Sequence, residues 1–325
     1  MKMRDSKELE MTKPSVAIVG AGMAGIACGC ALKEAGYAPV IFEKSRGAGG
    51  RMATRRTADD LQFDHGAQYL TARSDGFKRF IRKAVSTGSV VNWQAANKSI
   101  FVGNPTMNAI VKAAAEGLEV RANEKIEMLN TIDGQWTLSS ENPLDTFDIG
   151  VLTMPAPQII ELLGEQHSLS REIADVCMAP CLTVLAAFPP HQPVPFVSRR
   201  IPNDPLAWIA QDSSKPGRPR SKTCWVAQAS PDWSAEHLEC RPEEIVSLML
   251  PMLCEALGTD PEMATHVSAH RWRYALVTAP LGRPFVCDDS ASLYLGGDWT
   301  LGARVEAAWQ SGSAIAADIL ARNGT

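Results

Sequence analysis

An apolar run, Ser15-Val16-Ala17-Ile18-Val19, passes directly into Gly20-Ala21-Gly22-Met23-Ala24-Gly25 and then into a helical pattern. Strand, G-x-G-x-x-G turn and helix in that order mark the first half of a dinucleotide-binding unit. Each glycine has its own task there. Gly20 turns the chain off the strand, Gly22 lets the backbone approach a pyrophosphate, and Gly25 allows helix and strand to pack closely. The helix start, with Met23 and Ala24, offers its free N–H groups to the phosphates. A second apolar strand ends at Glu43, 18 residues beyond Gly25, where a carboxylate can accept hydrogen bonds from ribose hydroxyls. A 2′-phosphate would be repelled there, so the motif points to FAD or NAD rather than NADP.

The next segment separates those two. Lys44-Ser45-Arg46-Gly47-Ala48-Gly49-Gly50-Arg51-Met52 is a second glycine-rich, arginine-bearing loop that an NAD dehydrogenase does not need. It resembles the R-x-G-G-R pattern of two-dinucleotide-binding-domain flavoproteins. In that class Gly49 and Gly50 would admit the centre of the cofactor, with Arg51 near its diphosphate and the flavin edge. Leu293-Tyr294-Leu295-Gly296-Gly297-Asp298 reads as a buried strand closing on Gly-Gly-Asp, followed by a helix from Arg304 to Ala321. In such flavoproteins the aspartate holds the ribityl chain, and the helix start at Arg304, Val305 and Glu306 faces the flavin. A helix N-terminus favours the negative charge of a reduced flavin. The two ends of the chain are therefore expected to build one cofactor site. Ala67, Gln68, Met154 and the Lys125-Ile126 backbone, expected to meet adenine, complete the candidate cofactor contacts.

Length and composition suit a two-domain enzyme: 325 residues, 45% of them hydrophobic and 21% charged. A net charge of −4 argues against nucleic acid as a partner. Nowhere do 18 apolar residues run together, so no membrane span is expected. Residues 1–13 are polar, lack the apolar centre of a signal peptide and read as a disordered extension. The eight cysteines form no C-x-x-C pair or disulfide framework, which suggests reduced thiols in the cytoplasm. His266 and His270 fall on one face of an expected strand without a third ligand nearby, so no metal site is assigned.

The expected fold is α/β: a discontinuous Rossmann-like FAD-binding domain (14–70, 100–164 and 290–325) and a mainly antiparallel substrate domain with covering helices (71–99 and 165–289). Asn104-Pro105 is expected to open a helix stopped by Gly117. Strands are expected at Leu118–Arg121, Lys125–Leu129, Trp136–Ser139 and Phe147–Leu152, and at Cys181–Phe188, Leu206–Gln211, Thr223–Ala229 and Thr265–Tyr274. A helix over Pro242–Leu257 contains Pro251 and is expected to kink there.

Several motifs together resemble bacterial renalase-type flavoproteins of the amine oxidase group. They are the Lys44–Met52 loop, Asp64-His65-Gly66-Ala67-Gln68-Tyr69-x-Thr71-Ala72-Arg73, Pro155–Gln158, Ser214-Lys215-Pro216-Gly217-Arg218, His270-Arg271-Trp272-Arg273-Tyr274-Ala275 and Gly297-Asp298-Trp299 with Arg304-Val305-Glu306. The likeness runs from about Ser15 to Leu320. It implies a FAD-dependent oxidase that takes a hydride from misreduced 2- or 6-dihydro-NAD(P), gives NAD(P)+ and passes the electrons to O2 as hydrogen peroxide. Substrate is then a small-molecule dinucleotide.

Such a reaction needs no general base, because loss of hydride restores an aromatic pyridinium. Candidate cavity residues are Gln68, Tyr69, His270, Trp272 and Tyr274. On a strand His270, Trp272 and Tyr274 share one face, which either stacks a carboxamide-bearing ring or belongs to a core. His65 either orients the flavin loop or is structural. The basic run Lys215, Arg218, Arg220 and Lys222 reads mainly as a solvated loop, with contact to a substrate diphosphate as the alternative. Without a Ser-Gly-Gly-Cys-Tyr segment the flavin is expected to be non-covalent. A flavin monoamine or polyamine oxidase is the alternative activity, and a non-catalytic FAD-binding redox sensor the second.

Overall fold

The computed structural model describes residues 13–95, 98–140, 143–190 and 196–323; the expected N-terminal extension, Lys13 apart, falls outside them. The chain begins with β1 (Val16–Val19), α1 (Met23–Glu34), β2 (Val40–Glu43), β3 (Thr54–Arg56), β4 (Gln62–Asp64), α2 (Asp75–Ser86), β5 (Val90–Ala95), β6 (Lys98–Gly103) and α3 (Ala109–Ala114). It continues through β7 (Glu119–Ala122), β8 (Met128–Ile132), β9 (Gln135–Ser139), β10 (Pro143–Phe147), β11 (Ile149–Leu152), α4 (Ala156–Leu163), α5 (Ser168–Glu172) and β12 (Cys177–Phe188). The last part holds β13 (Ser198–Arg200), β14 (Leu206–Gln211), β15 (Thr223–Ala229), α6 (Pro231–Glu236), α7 (Pro242–Leu257), β16 (His266–Ala279), β17 (Val286–Cys287), β18 (Leu293–Leu295) and α8 (Val305–Asn323).

Two sheets carry the architecture. The first has the order β17-β18-β11-β1-β2-β7, with β18, β11, β1, β2 and β7 parallel and β17 antiparallel at one edge. Its strands come from both ends and the middle of the chain, as the discontinuous domain requires. β1 is buried at every position, the pattern of a parallel strand covered on both faces. Helices α1 and α8 pack together over it, and a Cβ on Gly312 would collide with the Ala24 carbonyl.

The second sheet is antiparallel, in the order β13-β14-β15-β12-β16. Alternation divides its two faces. Leu182, Val184, Ala186, Ile209, Trp225 and Ala227 point to one side, against Ile245, Met249 and Leu253 of α7. Helix α7 is continuous over Pro242–Leu257 with Pro251 inside it, is boxed at its start by Glu244 and ends at left-handed Gly258. The opposite face carries Trp208, Gln228, Thr183 and His270 and looks toward the loop after β4.

Three expected boundaries are corrected. The helix after Asn104-Pro105 starts only at Ala109, because the Met107 amide donates to Asp64 Oδ1 at 2.9 Å instead of joining a helix. The Phe147–Leu152 strand is two strands, β10 and β11, separated at Asp148, whose carboxylate binds the amide and hydroxyl of Ser15 at 2.8 and 2.7 Å. The Lys125–Leu129 strand begins later, at Met128. Residues 71–99, expected with the substrate sheet, contribute Phe77, Ile81, Val90 and Trp93 to the same core as Ile18 and Ile26.

Candidate active site

The glycine turn after β1 has the form its sequence implies. Gly20 adopts φ +108°, and a Cβ on Gly25 would collide with the Gly20 carbonyl. A Cβ on Gly22, in contrast, would meet nothing within 4 Å, leaving open space where a pyrophosphate would lie against the start of α1. Beside it runs the second glycine loop: the Gly49 amide donates to the Ala21 carbonyl at 2.9 Å, and Gly50 at φ +52° lies against Gly22. Glu43, at the end of β2, is buried and accepts from the Ala21 amide at 2.9 Å and the Ser45 amide at 2.8 Å. Each carboxylate oxygen keeps a lone pair for a ribose hydroxyl. The residues present fit a dinucleotide cofactor.

Arg51 is the convergence point of three segments. Its Nη2 donates to Asp298 Oδ1 at 2.5 Å and its Nη1 to the Ala275 carbonyl of β16 at 3.2 Å. Its own carbonyl accepts from the Ala67 amide at 2.9 Å. Asp298 follows Gly297, which stands at φ +149° and is fixed by Ser311 Oγ, an acceptor for its amide at 2.9 Å. Trp299 donates to the Met154 carbonyl at 3.0 Å, closing the β11 and β18 ends together.

Other candidate cofactor residues are placed as follows. Met23, Ala24 and Met52 are buried beside the glycine turns, and Ile126 is buried below the exposed Lys125. Lys44 reaches Gln158 at 3.4 Å on the surface. Arg304 is exposed at the start of α8 and Val305 is half-buried. Glu306 is committed elsewhere: its carboxylate accepts from the Ser74 and Arg73 amides at 2.6 and 3.0 Å. Burial acts to raise its pKa, but those hydrogen bonds prevail and hold it below the usual range. It fastens the start of α2 to that of α8.

The loop after β4 lies between the cofactor turns and the antiparallel sheet. Gln228 donates to the Gly66 carbonyl at 2.8 Å and Trp272 Nε1 to the His65 carbonyl at 2.8 Å. The His65 ring stacks on Trp272 (centroids 5.1 Å apart, 26° between planes) and meets His270 edge-on at 4.5 Å. Thus His270 and Trp272 do share one face, directed at this loop, and Tyr274 follows half-buried on the same strand. Burial, then the neighbouring His270 and Arg55, lower the His65 pKa to about 3. Burial and Arg55 lower that of His270 to about 4. Both rings are neutral at pH 7. His65 Nδ1 is buried with no partner among the described residues.

Beneath the loop lies a charge cluster that the sequence reading missed. Lys215 and Arg218, read as a solvated loop or a diphosphate contact, are instead buried, at 0% and 5% exposure. Lys215 Nζ donates to Asp212 Oδ1 at 2.6 Å, Asp64 Oδ2 at 3.1 Å and Gln68 Oε1 at 3.3 Å. Arg218 Nη2 donates to Asp64 Oδ2 at 2.6 Å. Burial alone would raise the Asp64 pKa, but the two cations and the hydrogen bonds from Arg218 and Thr54 hold it well below the carboxylate range. The Gln68 amide donates to the Asp64 and Gly66 carbonyls. Its side chain is thereby fully engaged, which leaves the backbone as its means of contact with a cofactor. Tyr69 packs on Trp208 at 5.6 Å.

A parallel sheet with paired glycine turns and an arginine-aspartate lock, roofed by an antiparallel sheet, defines a FAD-dependent oxidoreductase. The chain belongs to the flavin-containing amine oxidoreductase family, whose model matches residues 91–320, and a model of NAD(P)-binding Rossmann-like domains matches residues 18–84. FAD is its cofactor. It is renalase-like: mouse renalase (Mus musculus) is 25% identical over 293 residues, covering 81% of this chain and 85% of the relative. Among solved structures, one from Exiguobacterium sp. 255-15, provisionally named a protoporphyrinogen oxidase, superposes with TM-score 0.77 at 15% identity, covering 96% of this chain and 100% of that one. Cyclohexylamine oxidase from Brevibacterium oxydans gives 0.68 at 12% identity, over 96% and 99% of the two chains. These likenesses define the fold. No helix among the described residues is long and apolar enough to cross a membrane.

Proposed function

We propose that the protein oxidises misreduced nicotinamide dinucleotides, the 2- or 6-dihydro isomers of NAD(P)H, to NAD(P)+. The observation that carries this reading is the face formed by His65, His270 and Trp272: aromatic, neutral at pH 7 and edged by a guanidinium. Arg55 Nη2 stands 3.3 Å from His270 Nδ1 with no carboxylate bound to it among the described residues. A protonated amine would be repelled there, whereas a flat, uncharged dihydropyridine on an anionic dinucleotide is suited to it.

Bound, non-covalent FAD would accept the hydride released as the ring becomes aromatic and pass the electron pair to O2, giving hydrogen peroxide. The chain's own part is positioning and exclusion of water. In this reading the contacts to FAD are Gly20, Gly22, Met23, Ala24, Gly25, Glu43, Gly49, Gly50, Arg51, Ala67 and Asp298, with the Lys125-Ile126 backbone at the adenine end. His270, Trp272, Tyr274 and Tyr69 line the substrate side, and Gln68 positions the loop between the two. No proton needs to leave the reacting carbon, and His65 and His270, being neutral, offer hydrogen bonds without titrating in the working range.

The test is anaerobic mixing with 2-dihydro-NAD(P), 6-dihydro-NAD(P), ordinary NAD(P)H and a panel of amines while the flavin band is followed. Bleaching by a dihydro isomer, with peroxide on admission of air, is the expected result. Bleaching by amines alone would make the protein an amine oxidase, and no bleaching by any donor would indicate a binding role.

A further inference from the structure

The strand registers align one residue from each of the five strands in a single transverse row. Arg200 pairs with Trp208, Trp208 with Gln228, Gln228 with Thr183, and Thr183 with His270. Directly opposed residues of antiparallel strands project to the same face. Three members of the row touch the loop after β4: His270 through His65, Gln228 through the Gly66 carbonyl and Trp208 through Tyr69. At the outer end of the row the Arg200 guanidinium lies over the Trp208 ring, 5.6 Å from its centre.

Two features of that end are unexplained by the protein alone. Trp208 Nε1 is buried and donates to nothing among the described residues. A buried donor without a partner is unusual in a folded protein. Arg200 is exposed, and no carboxylate pairs with it among the described residues. Lys215 and Arg218, the buried cations beneath the loop, are already ion-paired with Asp64 and Asp212. Arg200 therefore offers a positive charge, unpaired among the described residues, at the outer end of the row.

We infer that Arg200 and Trp208 form the subsite for the diphosphate of the dinucleotide substrate, with the guanidinium as donor to its oxygens and the indole as the surface that orients it. This rests on the reading of the preceding subsection. Two strand spacings, roughly 10 Å, separate Gln228, which holds Gly66, from Arg200. That is comparable with the distance from a nicotinamide ring to its 5′ diphosphate, so a ring beside Gly66 and Trp272 would bring its phosphates to the outer strands. Arg guanidinium groups bind phosphate oxygens as a fork, and stacking on an indole fixes the plane of the fork.

The experiment measures flavin reduction by dihydro-NAD and by the corresponding dihydronicotinamide riboside, which has no phosphate. It compares the wild type with Arg200→Gln, Trp208→Phe and Arg199→Gln; Arg199 is the adjacent exposed arginine, on the opposite face of β13. For Arg200→Gln we expect kcat/KM for the dinucleotide to fall by about tenfold, in KM rather than kcat, with the riboside unchanged. Trp208→Phe should fall by about threefold with the same selectivity, and Arg199→Gln should match the wild type. Calorimetry with NAD+, the product, should show the same order of affinities. Equal losses for both substrates, no loss for either, or an equal loss in Arg199→Gln would overturn the subsite while leaving the oxidase reading intact. A wild type reduced by neither substrate overturns that reading, and the subsite with it.

Discussion

Arg51 Nη2 and Asp298 Oδ1 meet at 2.5 Å although 247 residues separate them in the chain, and both are largely shielded from water. The pair joins the second glycine loop to the Gly-Gly-Asp turn, and through Nη1 of Arg51 it reaches β16 as well. Charge-assisted hydrogen bonds of this kind contribute about 1.5–3 kcal/mol. Asp298→Asn keeps the shape and removes the charge. The expected outcome is FAD affinity lower by roughly ten- to a hundredfold with the fold retained. It is read from the ratio of flavin to protein absorbance after dialysis and from titration of the apoprotein. Unchanged retention of FAD would show that the pair plays no part in holding it.

Lys215 is a stability determinant. Removing its ammonium leaves Asp64 and Asp212 buried with Arg218 as the remaining cation, and breaking such a cluster costs about 3–5 kcal/mol. Lys215→Met should therefore lower the urea midpoint strongly, and added salt should not change the difference, because the cluster is sealed from counterions. The double change Lys215→Met with Asp212→Asn should recover part of the loss. An exposed lysine, as the local sequence suggests, would give a change within about 0.5 kcal/mol.

Why the cluster was hidden in the sequence is physical. Lys215, Arg218, Arg220 and Lys222 sit among prolines and glycine, the composition of a solvated loop, and Arg220 is indeed exposed while Lys222 is half-buried. What buries the first two is Asp64, 151 and 154 residues away, which no local pattern reports. The same carboxylate takes the Met107 amide and so delays the helix after Pro105. The cofactor turns were legible because their constraints are local: a glycine at φ +108° or a carboxylate closing a strand is written within a few residues. The face of His270 and Trp272 was legible from strand alternation. Its third ring, His65, and the transverse row ending at Arg200 depended on register, which a single sequence does not display.

Gly312 fixes how closely α1 and α8 approach. A methyl there would collide with the carbonyl oxygen and carbon of Ala24, within the glycine motif that faces the cofactor. Backbone cannot give way as a flexible side chain can, so Gly312→Ala should destabilise by about 2–3 kcal/mol despite its better helix propensity. The displaced start of α1 should also weaken FAD retention. Thermal unfolding of the loaded protein, together with flavin release, checks both parts. A neutral or stabilising result would mean that the two helices can slide apart without cost.

His65 and His270 make stability depend on pH with a definite sign. An imidazole in the unfolded chain titrates near 6.5, whereas the folded values are about 3 and about 4. Between those limits the unfolded chain binds protons that the folded one refuses. Their stabilising contribution is complete above about pH 6.5 and is lost as pH falls toward the folded values. At pH 5 the His65 ring accounts for roughly 2 kcal/mol of loss, and the more exposed His270 for less. Urea unfolding at pH 8 and pH 5 should show the wild type losing more than His65→Asn does, with the variant's difference smaller by about that amount. Since neither ring titrates between pH 6 and 8 in the folded protein, the rate of flavin reduction by a dihydro isomer should carry no imidazole break in that range. A clear break near 6.5 that disappears in His270→Asn would mean that the face is open to water and that His270 acts as a titrating group in catalysis.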